Sequence, residues 1–350
     1  MKLFKSLLVA PASLGLLAPM AATANEVTIN DFNAAEEIAV TNSRVDGLEA
    51  RLNNFEAGSF SETTTASFSV DTVLGAIDGA SSETTSLDFQ FNIGLSTSFT
   101  GEDSLDIAID NGSATLSPMG TKMGFDSGAP LSVDGVTYSF PVGGASMVVG
   151  DSTDLSTAFT GACTYSAFTD LTPDDCGTGN SMGAGGKGVT AAMSYAFDSG
   201  FSLAGGVTSG NKEILGDEAD AFGLNAAYSA DSYGVAVAYV SDDGGTSTDT
   251  TYWGLNGYYT FDLASLSAGF ETSDDGTTEK SGYFVGLSFP EVGPGTANIA
   301  AATTGLFADS ETETLVYEAS YSYALNDGMT ITPGIFIKEV DGADLSLIHI

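Results

Sequence analysis

Positive charge is scarce in this 350-residue chain: nine Lys and Arg stand against 46 Asp and Glu, a formal charge of −37. Nucleic acid is excluded as a partner, because its phosphates would be repelled. Histidine is rarer still. The only one, His349, stands next to the last residue, which leaves no His-based triad and no zinc centre to expect. Cysteine occurs twice, at Cys163 and Cys176, and proline nine times. Beyond the N-terminus no apolar run is long enough to cross a bilayer as a helix. Membrane residence therefore requires a barrel or a partner. Familiar ligand motifs also fail. Gly183-Ala184-Gly185-Gly186-Lys187-Gly188 resembles a phosphate loop, but position 181 is Ser and no Ser or Thr follows the lysine. Asp242-Asp243-Gly244-Gly245 does not fit the calcium nonapeptide. Carboxylates abound without a catalytic frame, so no catalytic residue, metal or cofactor is expected.

What is present begins with a leader. Lys2 and Lys5 precede an apolar stretch from Leu7 to Leu17, and Ala22-Thr23-Ala24 supplies small residues for cleavage before Asn25. Residues 1–24 read as a signal peptide. Their removal takes two lysines and no acids, leaving seven basic and 46 acidic residues, a formal charge of −39. Such a field favours cations over anions in any pore it lines. Two other readings of the acidic loops stand beside this one: a solvated surface, and a bridge to lipopolysaccharide through divalent ions.

Residues 188–338 alternate with period two. Val189, Ala191, Met193, Tyr195 and Phe197 share one face and Thr190, Ala192, Ser194 and Ala196 the other. Ten such segments fill the region, among them the strand from Phe201, Phe222–Tyr228, Tyr233–Tyr239, Trp253–Phe261, one through Phe270, Tyr283–Phe289, Leu315–Tyr323 and Met329–Ile337. The connections alternate short and long. A soluble sandwich has no reason to sort its turns by length, whereas a barrel in an outer membrane does. Before residue 150 five more strands are predicted: Ser61–Leu74, one around Leu87–Ser96, Leu105–Leu116, Val136–Phe140 and Ser146–Val149. Fifteen strands starting on the periplasmic side need one more to return. The expected fold is an all-β transmembrane antiparallel barrel of about sixteen strands. After Asp341 the pattern fails, and Leu345–Ile350 looks like translated adaptor sequence, so the native last strand is expected to be missing.

The longest connection, 151–187, is the candidate functional segment. It is expected to fold inward as a constriction. Tyr165 and Phe168 would stack on a sugar ring, Asp170, Asp174 and Asp175 would bind its hydroxyls or attract cations, and Lys187 is a further constriction candidate; the alternative for each is a solvated loop residue. Cys163 and Cys176 stand as a disulfide or as two free thiols. A bridge closing about fourteen residues would contribute roughly 3 kcal/mol in the chain-entropy model.

Between leader and barrel, residues 25–57 hold a short heptad register at Ile38, Thr41, Val45, Leu48, Leu52 and Phe55. Two readings stand: a coiled coil suited to a trimer, or an amphipathic helix packed on its own barrel. Residues 58–350 form the third region. The leader Met1–Ala22, the segment Arg44-Val45-Asp46-Gly47-Leu48-Glu49-Ala50-Arg51 and the stretch Gly58-Ser59-Phe60-Ser61-Glu62-Thr63-Thr64-Thr65 resemble the outer-membrane porins of marine cyanobacteria, related to the carbohydrate-selective porin family. The resemblance implies a homotrimeric sixteen-strand channel for small solutes, with no single catalytic residue. Such porins usually carry an S-layer-homology domain ahead of the coiled coil. Here residues 25–37 fill that space, so peptidoglycan anchoring is not implied. They also usually end on an aromatic residue, which this chain does not.

The function expected is passive diffusion of small hydrophilic solutes and ions, sugars among them, through a cation-preferring pore in a Gram-negative outer membrane. The rival is a secreted or surface β-rich adhesin without a pore. An enzyme stands third, lacking a nucleophile and base.

Overall fold

The computed structural model describes residues 64–79, 83, 85–113, 118–126, 130–183, 186–214, 216, 220–244, 248–340 and 343–349, together with 42, 44 and 45. The chain divides into two units, Met1–Ser61 and Glu62–Ile350. In the first, Asn42, Arg44 and Val45 are helical and exposed. Ile38, Thr41, Leu48, Leu52 and Phe55 lie outside the described residues.

The second unit is one antiparallel sheet. Its strands are β1 (Thr64–Asp78), β2 (Ser86–Thr97), β3 (Ser104–Gly112), β4 (Ser132–Val142), β5 (Ala145–Thr153), β6 (Gly188–Ala196), β7 (Phe201–Ser209), β8 (Asp220–Ser229) and β9 (Tyr233–Asp242). Then come β10 (Thr250–Thr260), β11 (Ser265–Asp274), β12 (Glu279–Val292), β13 (Gly295–Thr303), β14 (Phe307–Ala308), β15 (Leu315–Asn326), β16 (Met329–Ile331), β17 (Gly334–Val340) and β18 (Ala343–His349). β13 and β14 both pair with β12, and β16 and β17 both pair with β15. Each of these two pairs is one pass of the chain, so the eighteen strands make sixteen antiparallel passes.

The residues after Asp341 supply a return strand where none was expected. β18 pairs with β17 from Ile335 to Val340 and with β1 at Gly75–Asp78. The sheet thus curls round to its first strand along the last part of β1. Among the described residues, Thr64–Leu74 has ladder partners on β2 alone.

Alternation sets the two faces. Met193, Leu203, Leu224, Val235, Leu255, Val285 and Ile335 are exposed on the outer one. Ala192, Asn225, Ala236, Asn256, Phe284 and Phe336 are buried on the inner one. Connections at one end are tight, as at 143–144, 197–200, 230–232, 261–264, 293–294 and 327–328; those at the other include 113–131, 154–187, 210–219 and 309–314. The 275–278 connection departs from the expected alternation. It sits at the long-loop end yet has four residues, because Asp275 caps it by accepting the Thr277 and Thr278 amides at 2.9 and 2.7 Å, and Gly276 takes a positive φ of 76°. Rings line the tight-turn end: Tyr195 meets Phe197, Phe201 meets Tyr228, and Tyr259 meets Phe261, with centroids 4.6–4.7 Å apart. An apolar outer band with an aromatic rim at the tight-turn end suits a bilayer and its interface.

Candidate functional site

The 154–187 segment lies along the inner face of the sheet, and wall residues hold it at regular intervals. It begins where Asp154 accepts the Ser156 amide and caps a 3₁₀ turn at Leu155–Thr157. Leu155, Ala158 and Phe159 pack on Ala192, Ala221, Ala238 and Val240. These wall positions are small, which makes room for the loop. Next, Asn225 on β8 accepts the Thr160 amide at 2.9 Å and donates to the Thr160 carbonyl at 3.2 Å. Asn256 on β10 accepts the Ala162 amide at 2.9 Å. Ser267 on β11 accepts the Thr164 amide at 3.1 Å. Glu318 on β15 then takes four donors: Tyr165 Oη, the Phe168 amide, and the amide and hydroxyl of Thr169.

The segment turns back through Asp174–Gly177, where Asp175 and Cys176 both adopt left-handed backbone (φ 49° and 56°). Cys163 and Cys176 are disulfide-bonded, with Cα atoms 5.7 Å apart. Beside the bridge, Asn256 Nδ2 donates to the Asp175 carbonyl and to Thr178 Oγ1, both at 2.8 Å. One wall asparagine therefore holds both strands of the loop's neck. A Cβ at Gly269 would collide with the Cys176 carbonyl, so the bare backbone there permits contact. Helix α1 (Gly179–Gly183) closes the segment, with Glu271 on β11 accepting from Asn180 Nδ2 at 2.7 Å and the Ser181 amide at 2.5 Å.

A second inward segment was not anticipated. Helix α2 (Pro118–Lys122), in the β3–β4 connection, buries Met119 among Val73, Ile77 and Phe336, with Leu171 of the first loop packed on the same cluster. The Lys122 carbonyl accepts the Asp170 amide at 3.0 Å, and Gly124 abuts the Asp170 carboxyl. Gln90 on β2 accepts the Asp126 amide at 3.0 Å. Thus the two segments meet each other as well as the wall.

Asp170, Asp174 and Asp175 are exposed on the ring closed by the disulfide. Partial desolvation, and then the charge of Asp174, raise the Asp170 carboxyl above its ordinary range. Asp175 is raised by desolvation and by Asp174 and Asp154. Lys187 lies elsewhere: its Nζ is 2.6 Å from Asp134 of β4. With Asp106, Asp134, Asp154, Ser96 and Thr137, it borders a cavity of about 440 Å³ against the β2–β5 wall. Tyr165 and Phe168, the candidates for stacking on a sugar ring, both lie against the wall. The Tyr165 ring meets Phe284 edge-on at 5.1 Å, and buried Phe168 lies over Gly334. Both rings face the wall because the neighbouring donors are drawn to Glu318. Among the described residues no cluster of three or more His, Cys, Asp or Glu is arranged to hold a metal ion.

A sequence model of the family described as Gram-negative porin matches residues 63–341. The chain belongs to that family. Among solved structures, a mutant porin of Rhodopseudomonas blastica is similar, at TM-score 0.53 and 14% identity, over 81% of this chain and 98% of that one. A porin structure refined at 1.8 Å is similar at TM-score 0.54 and 15% identity, over 81% and 99%. At such identities the likeness shows a shared β-barrel fold. Comparison with curated protein sequences gives no match. Family membership makes this chain an outer-membrane channel protein and not an enzyme.

Proposed function

We propose that this porin is a passive, cation-preferring diffusion channel for small hydrophilic solutes and ions, with the 154–187 segment setting its bore. The observation that carries the reading is the docked ring: wall residues from β8 to β15 fix its backbone, while Asp170, Asp174 and Asp175 remain exposed. A cavity against β2–β5 is bordered by Asp106 and Asp134 of the wall and by Asp154 and Lys187 at the two ends of the segment, Lys187 being paired to Asp134. Carboxylates of the wall and of the segment attract cations and repel anions.

The test is single-channel conductance in a planar bilayer under a salt gradient. A reversal potential on the cation side is expected; chloride selectivity would overturn the preference. Homotrimeric assembly through the helical segment around Val45 rests on the heptad pattern and on the resemblance to cyanobacterial porins, and predicts openings in threes. Sugar passage rests on that resemblance alone, and an open current unaffected by added sugars would count against it. Contact with lipopolysaccharide through the acidic loops predicts that chelators loosen packing in the membrane. Cleavage after Ala24 predicts a mature protein beginning at Asn25.

A further inference from the structure

The inward ring is tied to the wall by many small contacts, but one side chain stands apart. Glu318 is 4% exposed and points from β15 into the fold. Its Oε1 accepts Tyr165 Oη at 3.0 Å and the Phe168 amide at 2.8 Å; its Oε2 accepts the amide and the hydroxyl of Thr169, both at 3.1 Å. None of the three ion pairs among the described residues includes it. Four donors from one short stretch therefore converge on a single buried acceptor. Carboxylate is the side chain suited to this, because only it offers acceptors on both atoms.

The consequence follows from chain distance. Thr169 is bonded to Glu318, and Asp170 is the next residue, its amide bound to the Lys122 carbonyl. Fixing the Phe168–Thr169 backbone fixes where the Asp170 carboxyl emerges. The disulfide between Cys163 and Cys176 encloses that stretch, so Asp174 and Asp175 belong to the same closed ring. We infer that Glu318 is the positioning residue of the constriction. It sets the selectivity of the pore through the ring's acidic edge, and not through its own charge, which the loop covers. The inference rests on the cation-preferring reading above and names the residue that produces it.

The test is a mutant cycle on the full-length protein in planar bilayers, read as reversal potential and open-channel noise. Wild type must first show cation preference; if it does not, the functional reading falls, independently of Glu318. Given that preference, Glu318→Gln presents an amide donor to one pair of loop donors. It is expected to lower the cation-to-anion permeability ratio about twofold or more and to add noise to the open level. In a background already carrying Asp170→Asn, Asp174→Asn and Asp175→Asn, the same change should leave the ratio where it was, because no acidic edge remains to be misplaced. Equal drops in both backgrounds would overturn the inference and make Glu318 a direct wall charge. An unaltered ratio in Glu318→Gln alone would overturn it too. Should that variant fail to insert, Tyr165→Phe and Thr169→Val each remove one donor while keeping every charge. A lowered ratio in either supports positioning, and wild-type ratio and noise in both refute it.

Discussion

Replacing Asn256 by alanine probes whether the wall holds the neck of the inward loop. Three bonds are lost, but they are not equivalent. The Ala162 amide belongs to a residue 1% exposed and loses its acceptor, so an N–H is left orphaned at about 1–3 kcal/mol. The Asp175 carbonyl still accepts Thr178 Oγ1 at 2.8 Å, so the two bonds from Asn256 Nδ2 cost about 0.5–1.5 kcal/mol each. Docking of the loop should weaken by about 2–6 kcal/mol; the midpoint is several hundredfold in the docked fraction. The strands keep their ladders, so heat-modifiable gel mobility should be unchanged. The Cys163–Cys176 bridge holds the same neck and contributes about 3 kcal/mol by closing the ring. N256A alone should therefore record with moderate added noise, and N256A combined with C163S and C176S with substates and a larger open level. Because the two restraints back each other up, the combined effect should exceed the sum of the separate ones. A triple variant as quiet as wild type, with the same open level and equal protease resistance, would refute the reasoning.

Acid should act through Asp170 and Asp175, whose raised carboxyls take up protons before ordinary ones near pH 3.9. Raised groups favour the docked loop when protonated and lose that contribution as pH rises, so falling pH should reduce cation selectivity above the ordinary carboxylate range without adding noise; reversal potentials measured against pH, with D170N/D175N losing that early component, check this. Gly269→Ala drives a methyl group into the Cys176 carbonyl and should weaken docking by about 1–3 kcal/mol, read as faster proteolysis of the loop. Met119→Ala empties a site among Val73, Ile77 and Phe336 and should cost about 2–4 kcal/mol of local stability, seen as faster amide exchange in 118–126 while β8–β12 stay protected.

The outward faces were legible because period-two alternation is a local signal. Met193 and Tyr195 against Ala192, or Tyr283 and Val285 against Gly282 and Phe284, sort themselves within a few residues. The long connection was legible from length, and the two cysteines share it. Contacts across the fold were not. Asn225 binds Thr160 from 65 residues away, and Glu318 binds Phe168 from 150. Nothing local separates Asn225, Asn256, Glu271 and Glu318 from other inward polar residues. Lys187 read as part of the constriction because it ends the long loop, but its partner is Asp134, 53 residues earlier. The 118–126 segment gave little signal, since Met119 and Met123 make one i, i+4 pair, too short a run to read as a helix. One hint was available: Phe284 and Phe336 are large rings at inward positions where neighbours are small, and both proved to be docking points for the inward segments.

The inner carboxylates divide into two kinds by what covers them, and the division explains how so acidic a chain holds a loop inside itself. Glu271 and Glu318 lie under the loop, where backbone amides and hydroxyls replace water as donors. Asp106 and Asp134 face the cavity on the other wall. Were the covered pair unmatched by donors, desolvation would push the loop off the wall. With donors in place, their hydrogen bonds hold it there. The loop's amides are thereby engaged toward the wall, and its own acids, Asp170, Asp174 and Asp175, are left exposed. Docking and field therefore meet in one segment: its amides and hydroxyls satisfy Glu271 and Glu318 of the wall, while its own acids at Asp170, Asp174 and Asp175 stay exposed.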